Sequence, residues 1–156
     1  MSRFLIRRCF LVAAIMTPCA FVNLTHAAED APYKIAGGLA VYLGIVPAAI
    51  VKGHPPGHAE RTMHGGVPSG NREYHLVAAV FDAATSTRIS DAQVTAQISG
   101  LGLAGIRKEL EPMEIAQTIT YGGFFNLPGR DIYTVKLELQ RPGTKAVIVY
   151  FKYDKH

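Results

Sequence analysis

Residues 132–140 alternate without a break: Tyr133, Val135, Leu137 and Leu139 fall on one side, and Thr134, Lys136, Glu138 and Gln140 on the other. A period of two with one apolar and one polar face specifies a half-buried antiparallel strand. Arg141-Pro142-Gly143 stops it with turn chemistry, and residues 146–153 (AVIVYFKY) resume at hairpin distance, rich in β-branched and aromatic side chains. Residues 73–81 (EYHLVAAVF) and 92–98 (AQVTAQI) flank the polar loop DAATSTRISD, and 114–120 (EIAQTIT) reads as a further strand. Residues 39–51 (LAVYLGIVPAAIV) read as an extended apolar element broken by Gly44 and Pro47, with Pro47 favouring an edge or bulge. No helical stripe persists beyond one or two turns. Six or seven short strands predict an all-β chain: a single immunoglobulin-like β-sandwich with Greek-key connections.

The first 27 residues have a different logic. Arg3, Arg7 and Arg8 precede an apolar stretch at 9–22, and Thr25-His26-Ala27 places small residues before a cut at Ala28. That is the three-part pattern of a cleaved secretory signal peptide, too short for a membrane span. A lipoprotein site at Cys19 is disfavoured by Pro18 before it. The exported domain is then residues 28–156, and nothing in it is apolar for long enough to insert into a membrane. The full chain carries 16 Lys plus Arg against 12 Asp plus Glu. Removing three arginines leaves a net charge of only +1, with no basic run for nucleic acid. Both cysteines, Cys9 and Cys19, leave as well, so disulfides, Cys-ligated zinc and thiol nucleophiles are excluded from the exported form. A soluble periplasmic protein is the expectation.

One segment departs from the strand pattern. Residues 52–71 (KGHPPGHAERTMHGGVPSGN) hold His54, His58 and His64, Met63, five glycines and three prolines. Long irregular segments in compact domains are commonly functional. Imidazole suits copper, zinc, nickel and iron, and a thioether favours copper, especially Cu(I). Pro55-Pro56-Gly57 prevents His54 and His58 from sharing a helix face, so convergence on an ion would need a loop; residues 58–63 could form a single turn. Met63 and His64 are neighbours, so both reach one ion only if Gly65-Gly66 turns the backbone. His75 opens the next strand, and Met113 is the other methionine of the exported chain. The metal-ligand candidates are therefore His64, Met63 and Met113, then His75, His58 and His54.

No catalytic constellation accompanies them. The chain lacks a G-x-S-x-G elbow, an H-E-x-x-H helix and a phosphate loop, and Glu109, Glu111 and Glu114 read as a solvated strand face. The protein is expected to be a binding protein and not an enzyme. The alternative function is a metal-free interaction module that uses the 52–71 loop as a partner-contact surface. Phe124 and Phe125 bear on both readings, because neighbours on a regular strand point to opposite faces. Either one phenylalanine is an exposed contact or an irregular turn buries both.

Leu110-Glu111-Pro112-Met113, seven residues, then Tyr121-Gly122-Gly123 resembles the periplasmic iron-transport accessory proteins. The surrounding order of strands is also similar to the FixH-like and YtkA-like exported β-sandwich domains, over residues 73–154. The resemblance implies an immunoglobulin-like domain that binds copper through Met and His beside a metal permease. It assigns Met113 as the methionine ligand. The position before the Tyr-Gly pair holds a histidine ligand in that family; here it is Thr120, a poor copper ligand, so either the 54–64 histidines substitute for it or the fold persists without the metal. The implied cofactor is a copper ion. The implied partner is an inner-membrane metal permease or a periplasmic metal acceptor. Oligomeric state is left open.

Overall fold

The computed structural model describes residues 31–63, 65–102 and 104–156. The proposed signal peptide and His64 lie outside the described residues. Eight strands follow in order: β1 (Tyr33–Ala36), β2 (Leu39–Pro47), β3 (Glu73–Asp82), β4 (Gln93–Ser99), β5 (Ile106–Ile115), β6 (Thr118–Asn126), β7 (Asp131–Gln140) and β8 (Val147–Lys155). Two short helices, α1 (Ala48–Lys52) and α2 (Ala59–Thr62), interrupt the segment between β2 and β3.

Every pairing is antiparallel, and the strand order is β1-β2-β3-β6-β5-β4-β7-β8. The consecutive strands β4, β5 and β6 are neighbours, β3 returns to lie beside β6, and β7 returns to lie beside β4. Those returns are Greek-key connections. The all-β sandwich expected from the alternation is the observed class, but its two layers are one continuous sheet. The reason is β5: residues 106–110 pair with β4, and residues 111–115 pair with β6. A strand that changes sheets makes a corner between the layers. On the opposite side β1 approaches β8, with Lys34 Nζ 5.7 Å from the centre of the Phe151 ring, which leaves the sandwich close to a barrel.

The core lies between the layers. Tyr133, Val135, Leu137 and Leu139, the apolar side of the cleanest alternation, are all buried against Val41, Leu76, Val80, Val94, Leu110 and Phe151. Tyr121 is anchored there as well. Its hydroxyl accepts from Ala92 N–H (3.1 Å) and donates to Ile89 carbonyl (3.3 Å), and burial pushes its pKa up from the usual tyrosine value.

Three expectations are corrected. Residues 114–120 are not a strand. Ala116 and Gln117 take φ of 49° and 63° and form a two-residue hairpin turn between β5 and β6. Residues 39–51 are not extended throughout: β2 ends at Pro47, which caps α1 at its N-terminus, where a fixed φ and no N–H are tolerated. Phe124 and Phe125 lie on a regular strand and yet both are buried. Phe125 enters the main core, while Phe124 on the other face packs with Ala48 and Val51 of α1 in a second, smaller cluster. The outer face of the sheet, normally solvated, is roofed here by the segment between β2 and β3. That roof positions the site.

Candidate metal centre

Register fixes which side chains lie under the roof. His75 pairs with Phe124, and Met113 pairs with Thr120. Directly paired residues share a face, and so do residues two apart on one strand. His75, Phe124, Gly122, Thr120 and Met113 therefore occupy one outer face. His75 and Met113 are essentially inaccessible, at 0% and 1% exposure, and Thr120 is buried too. The His75 ring packs on Phe124 with centroids 4.6 Å apart. Gly122 sits between His75 and Met113: Met113 Sδ and His75 Nε2 each lie 2.9 Å from where a Cβ on Gly122 would stand. The two donor atoms are thus within about twice that distance of each other.

The roof supplies the remaining donors. After α1 the chain turns at Pro55-Pro56-Gly57, with His58 N–H donating to Pro55 carbonyl at 2.9 Å. This brings the His54 and His58 rings together, centroids 4.5 Å apart. The turn is pinned by Arg61, whose Nη1 donates to His54 carbonyl at 2.8 Å, and Lys52 Nζ reaches Ser69 Oγ at 3.3 Å across the loop. Glu60, in the first turn of α2, points between the imidazoles. Its Oε2 is 3.0 Å from His54 Nδ1 and 3.7 Å from His58 Nδ1, and its Oε1 is 3.9 Å from His75 Nδ1. Ligand atoms of His54, His58 and Glu60 all fall within 4.8 Å of one another.

These residues fit a metal ion. The Nδ1 atoms of His54 and His58 are buried and form no aligned hydrogen bond, although His54 Nδ1 is only 3.0 Å from Glu60. The distance is short enough, so the misalignment is one of direction. A buried polar atom without a proper hydrogen bond is costly. Ligand atoms of two imidazoles and a carboxylate gathered in so small a space could hold one ion. Two imidazoles and a carboxylate form a borderline-to-hard donor set, and a thioether with a third imidazole forms a softer one behind it.

The sequence candidates are therefore distributed as follows. His54 and His58 meet at Glu60 on the roof, His75 faces the other oxygen of that carboxylate, and Met113 adjoins His75 on the sheet. Met63 is half-buried at the C-terminal end of α2, where its N–H donates to Ala59 carbonyl at 3.1 Å. Thr120 lies across from Met113, its Oγ1 3.5 Å from Met113 carbonyl oxygen. Two participants were not among the candidates. Glu60 could have been noticed as the acid two residues after His58. Gly122 carries no donor and is legible only once the sheet register is known.

A scan against family models finds no match, and no curated protein matches the chain in sequence. Solved structures do match in fold. A copper-bound variant of FetP from uropathogenic Escherichia coli superposes with a TM-score of 0.61 at 13% identity, covering 80% of this chain and 94% of that one. Copper-reconstituted P19 from Campylobacter jejuni gives 0.58 at 12% identity, covering 81% and 94%. A DUF4426 family protein from Pseudomonas aeruginosa gives 0.60 at 12%, covering 78% and 94%. At such identities the likeness is one of fold. It supports the resemblance to copper-binding β-sandwich proteins at that level, and the FixH-like and YtkA-like naming draws no support from it.

Proposed function

We propose that this protein is a periplasmic metal-binding protein that holds a copper ion between the 52–71 segment and the outer face of the sheet. The observation that carries the reading is the group His54, His58 and Glu60 on the roof, whose carboxylate faces the buried His75 of the sheet, with Met113 beside His75. Copper-bound FetP and P19 as fold neighbours support copper over other borderline metals. His54, His58 and Glu60 form the outer, partly accessible part of the site, and His75 and Met113 its buried part. Imidazole and carboxylate stabilise Cu(II), whereas imidazole and thioether stabilise Cu(I).

The role is binding and hand-over, not catalysis. The side chains of His54 and His58 are each 35% exposed, so an acceptor's ligands can displace them one at a time while His75 and Met113 retain the ion. The recipient is an inner-membrane metal permease or a periplasmic metal acceptor, and the transport role is that of an accessory. Among the described residues no helix is long and apolar enough to cross a membrane.

Titration of the exported chain with Cu(I), Cu(II), Zn(II) and Fe(II) tests the reading. Copper should bind in one equivalent, and H54A, H58A and E60A should each weaken it by about tenfold or more, because ligand supports alone are worth 10- to 100-fold. Copper binding no tighter than to a histidine-containing control peptide would end this assignment.

A further inference from the structure

The sequence carries a Gly-Gly pair on β6, and its two members serve different faces. A Cβ on Gly123 would meet core atoms, Leu110 Cδ2 at 3.2 Å and Phe125 Cε2 at 3.7 Å. A Cβ on Gly122 would meet the site: Met113 Cε at 2.5 Å, Met113 Sδ at 2.9 Å and His75 Nε2 at 2.9 Å. Separations below about 3 Å are steeply repulsive for carbon against carbon, sulfur or nitrogen, since the attractive minimum lies near 3.5–4.0 Å. Gly122 is not required by the backbone. It is absent from the positive-φ glycines, and it pairs in register with Val77 on β3 and Glu111 on β5. A strand-interior glycine costs stability relative to a side chain that packs. When its backbone is ordinary, the space above it is the reason to look for.

We infer that Gly122 is a positioning residue that sets the metal preference of the site. Its missing side chain is the slot in which the Met113 thioether and the His75 imidazole come together. The inference rests on the copper-binding reading and deepens it. Sδ and Nε2 are gathered around a single point above Gly122, close enough for one ion once the flexible thioether adjusts. That pair is the soft end of the site. The donors from the roof, two imidazoles and a carboxylate, suit Zn(II) or Cu(II), and the three atoms nearest the slot that a methyl group would fill all belong to Met113 and His75. Filling it therefore acts on Cu(I) and spares Zn(II).

The test compares wild type with G122A, M113L, M113A and M113A/G122A. Cu(I) and Zn(II) affinities are measured by competition with chromophoric chelators, sulfur ligation by X-ray absorption of the Cu(I) form, and thermal midpoints on metal-free protein. G122A should lose Cu(I) affinity by about tenfold or more, keep Zn(II) affinity within about threefold, and lose the sulfur scatterer, as expected for thioether loss. M113L keeps the bulk of the side chain without sulfur and should show the same selective loss, a readout that stands even where G122A is poorly folded. On metal-free protein the midpoint should fall less in M113A/G122A than the separate losses of M113A and G122A add up to, because the Met113 part of the clash is absent from the double variant. Wild-type Cu(I) affinity in G122A, or equal losses of Cu(I) and Zn(II), overturns the role of Gly122 alone; wild-type Cu(I) affinity in M113L removes Met113 from the ligand set and the slot's role with it. Absence of Cu(I) binding by wild type overturns the copper reading and this inference with it, while the midpoints still report the clash.

Discussion

Thr120 illustrates how one side chain can limit a site. It lies directly opposite Met113 on the shared outer face and is buried. Paired Cβ atoms in an antiparallel sheet are about 4.5–5.5 Å apart, so an imidazole at this position reaches the space that Met113 and His75 line. T120H should tighten Cu(I) binding by about tenfold or more and lower the metal-free midpoint slightly, since overpacking typically costs about 1–3 kcal/mol. Chelator competition and a thermal melt decide it; unchanged affinity would place the ion away from Met113. A second residue-scale effect concerns acid. The Asp82 carboxylate accepts from Thr85 N–H at 2.9 Å, Thr85 Oγ1 at 3.0 Å and Ala84 N–H at 3.0 Å. These bonds, that from the Thr85 backbone first, hold its pKa below the usual 3.8. Arg141 does the same for Asp91 through a two-pronged contact of 3.0 and 3.2 Å. A carboxylate whose folded pKa is depressed binds fewer protons folded than unfolded. Its stabilisation is complete above the unfolded pKa and is lost as pH falls through the folded one. D82N should therefore be less stable than wild type at neutral pH, and the gap should close below about pH 4, as read from urea midpoints against pH. A gap that stays constant into acid would show that the Asp82 charge contributes nothing.

At the scale of elements, the β5–β6 hairpin is held by a turn of unfavourable composition. Positive φ at both central residues is the signature of a type I′ turn, for which Asn-Gly is preferred; here the residues are Ala116 and Gln117, at 49° and 63°. Left-handed backbone costs an ordinary L-residue roughly 1–2 kcal/mol. A116N/Q117G should then stabilise the protein by roughly 1 kcal/mol in urea denaturation, with unchanged m-value. A loss of stability would mean that the Ala-Gln backbone is not strained. The same turn explains why this region misled the sequence reading: without Gly, Asn or Pro at 116–117, an apolar stretch at 114–120 looks continuous. Strands β4, β7 and β8 were legible within a residue or two because each alternates a buried and a more accessible face, and β3 because its apolar run is bounded by polar loops. β5 was not, because its burial pattern breaks where it changes sheets at 110–111. α1 was hidden by Ile50 and Val51, β-branched residues that suit strands, and by the brevity of the helix. The His and Met donors were visible as residue types. Glu60 gains its meaning from the docking of the roof on the sheet and Gly122 from the register of β3, β5 and β6, neither of which a local pattern encodes.

For the whole molecule, that docking joins two regions of unequal strength. The sandwich core contains a continuous set of buried aliphatic and aromatic side chains from both layers, whereas the roof is held by Ala48, Val51 and Phe124 with Val46 and Val67 at its edge. Regions with few buried apolar contacts open at lower free energy than the core. The proposed site bridges the two, with His54, His58 and Glu60 on the roof and His75 and Met113 on the sheet. An ion that needs both sets binds only the closed form, so its binding free energy adds to closure. At a free copper concentration a hundredfold above Kd the gain is about 2.7 kcal/mol. Hydrogen exchange should locate it: amides of residues 48–63 should gain the largest protection on copper addition, while those of β4 and β7, already limited by global unfolding, rise only as the thermal midpoint rises. F124A should weaken copper binding although it removes no ligand, because it shifts the roof toward its open form, dilutes the competent state and takes away the ring on which His75 packs. Copper-induced protection spread evenly over the chain, or wild-type affinity in F124A, would show that the ion does not bridge roof and sheet.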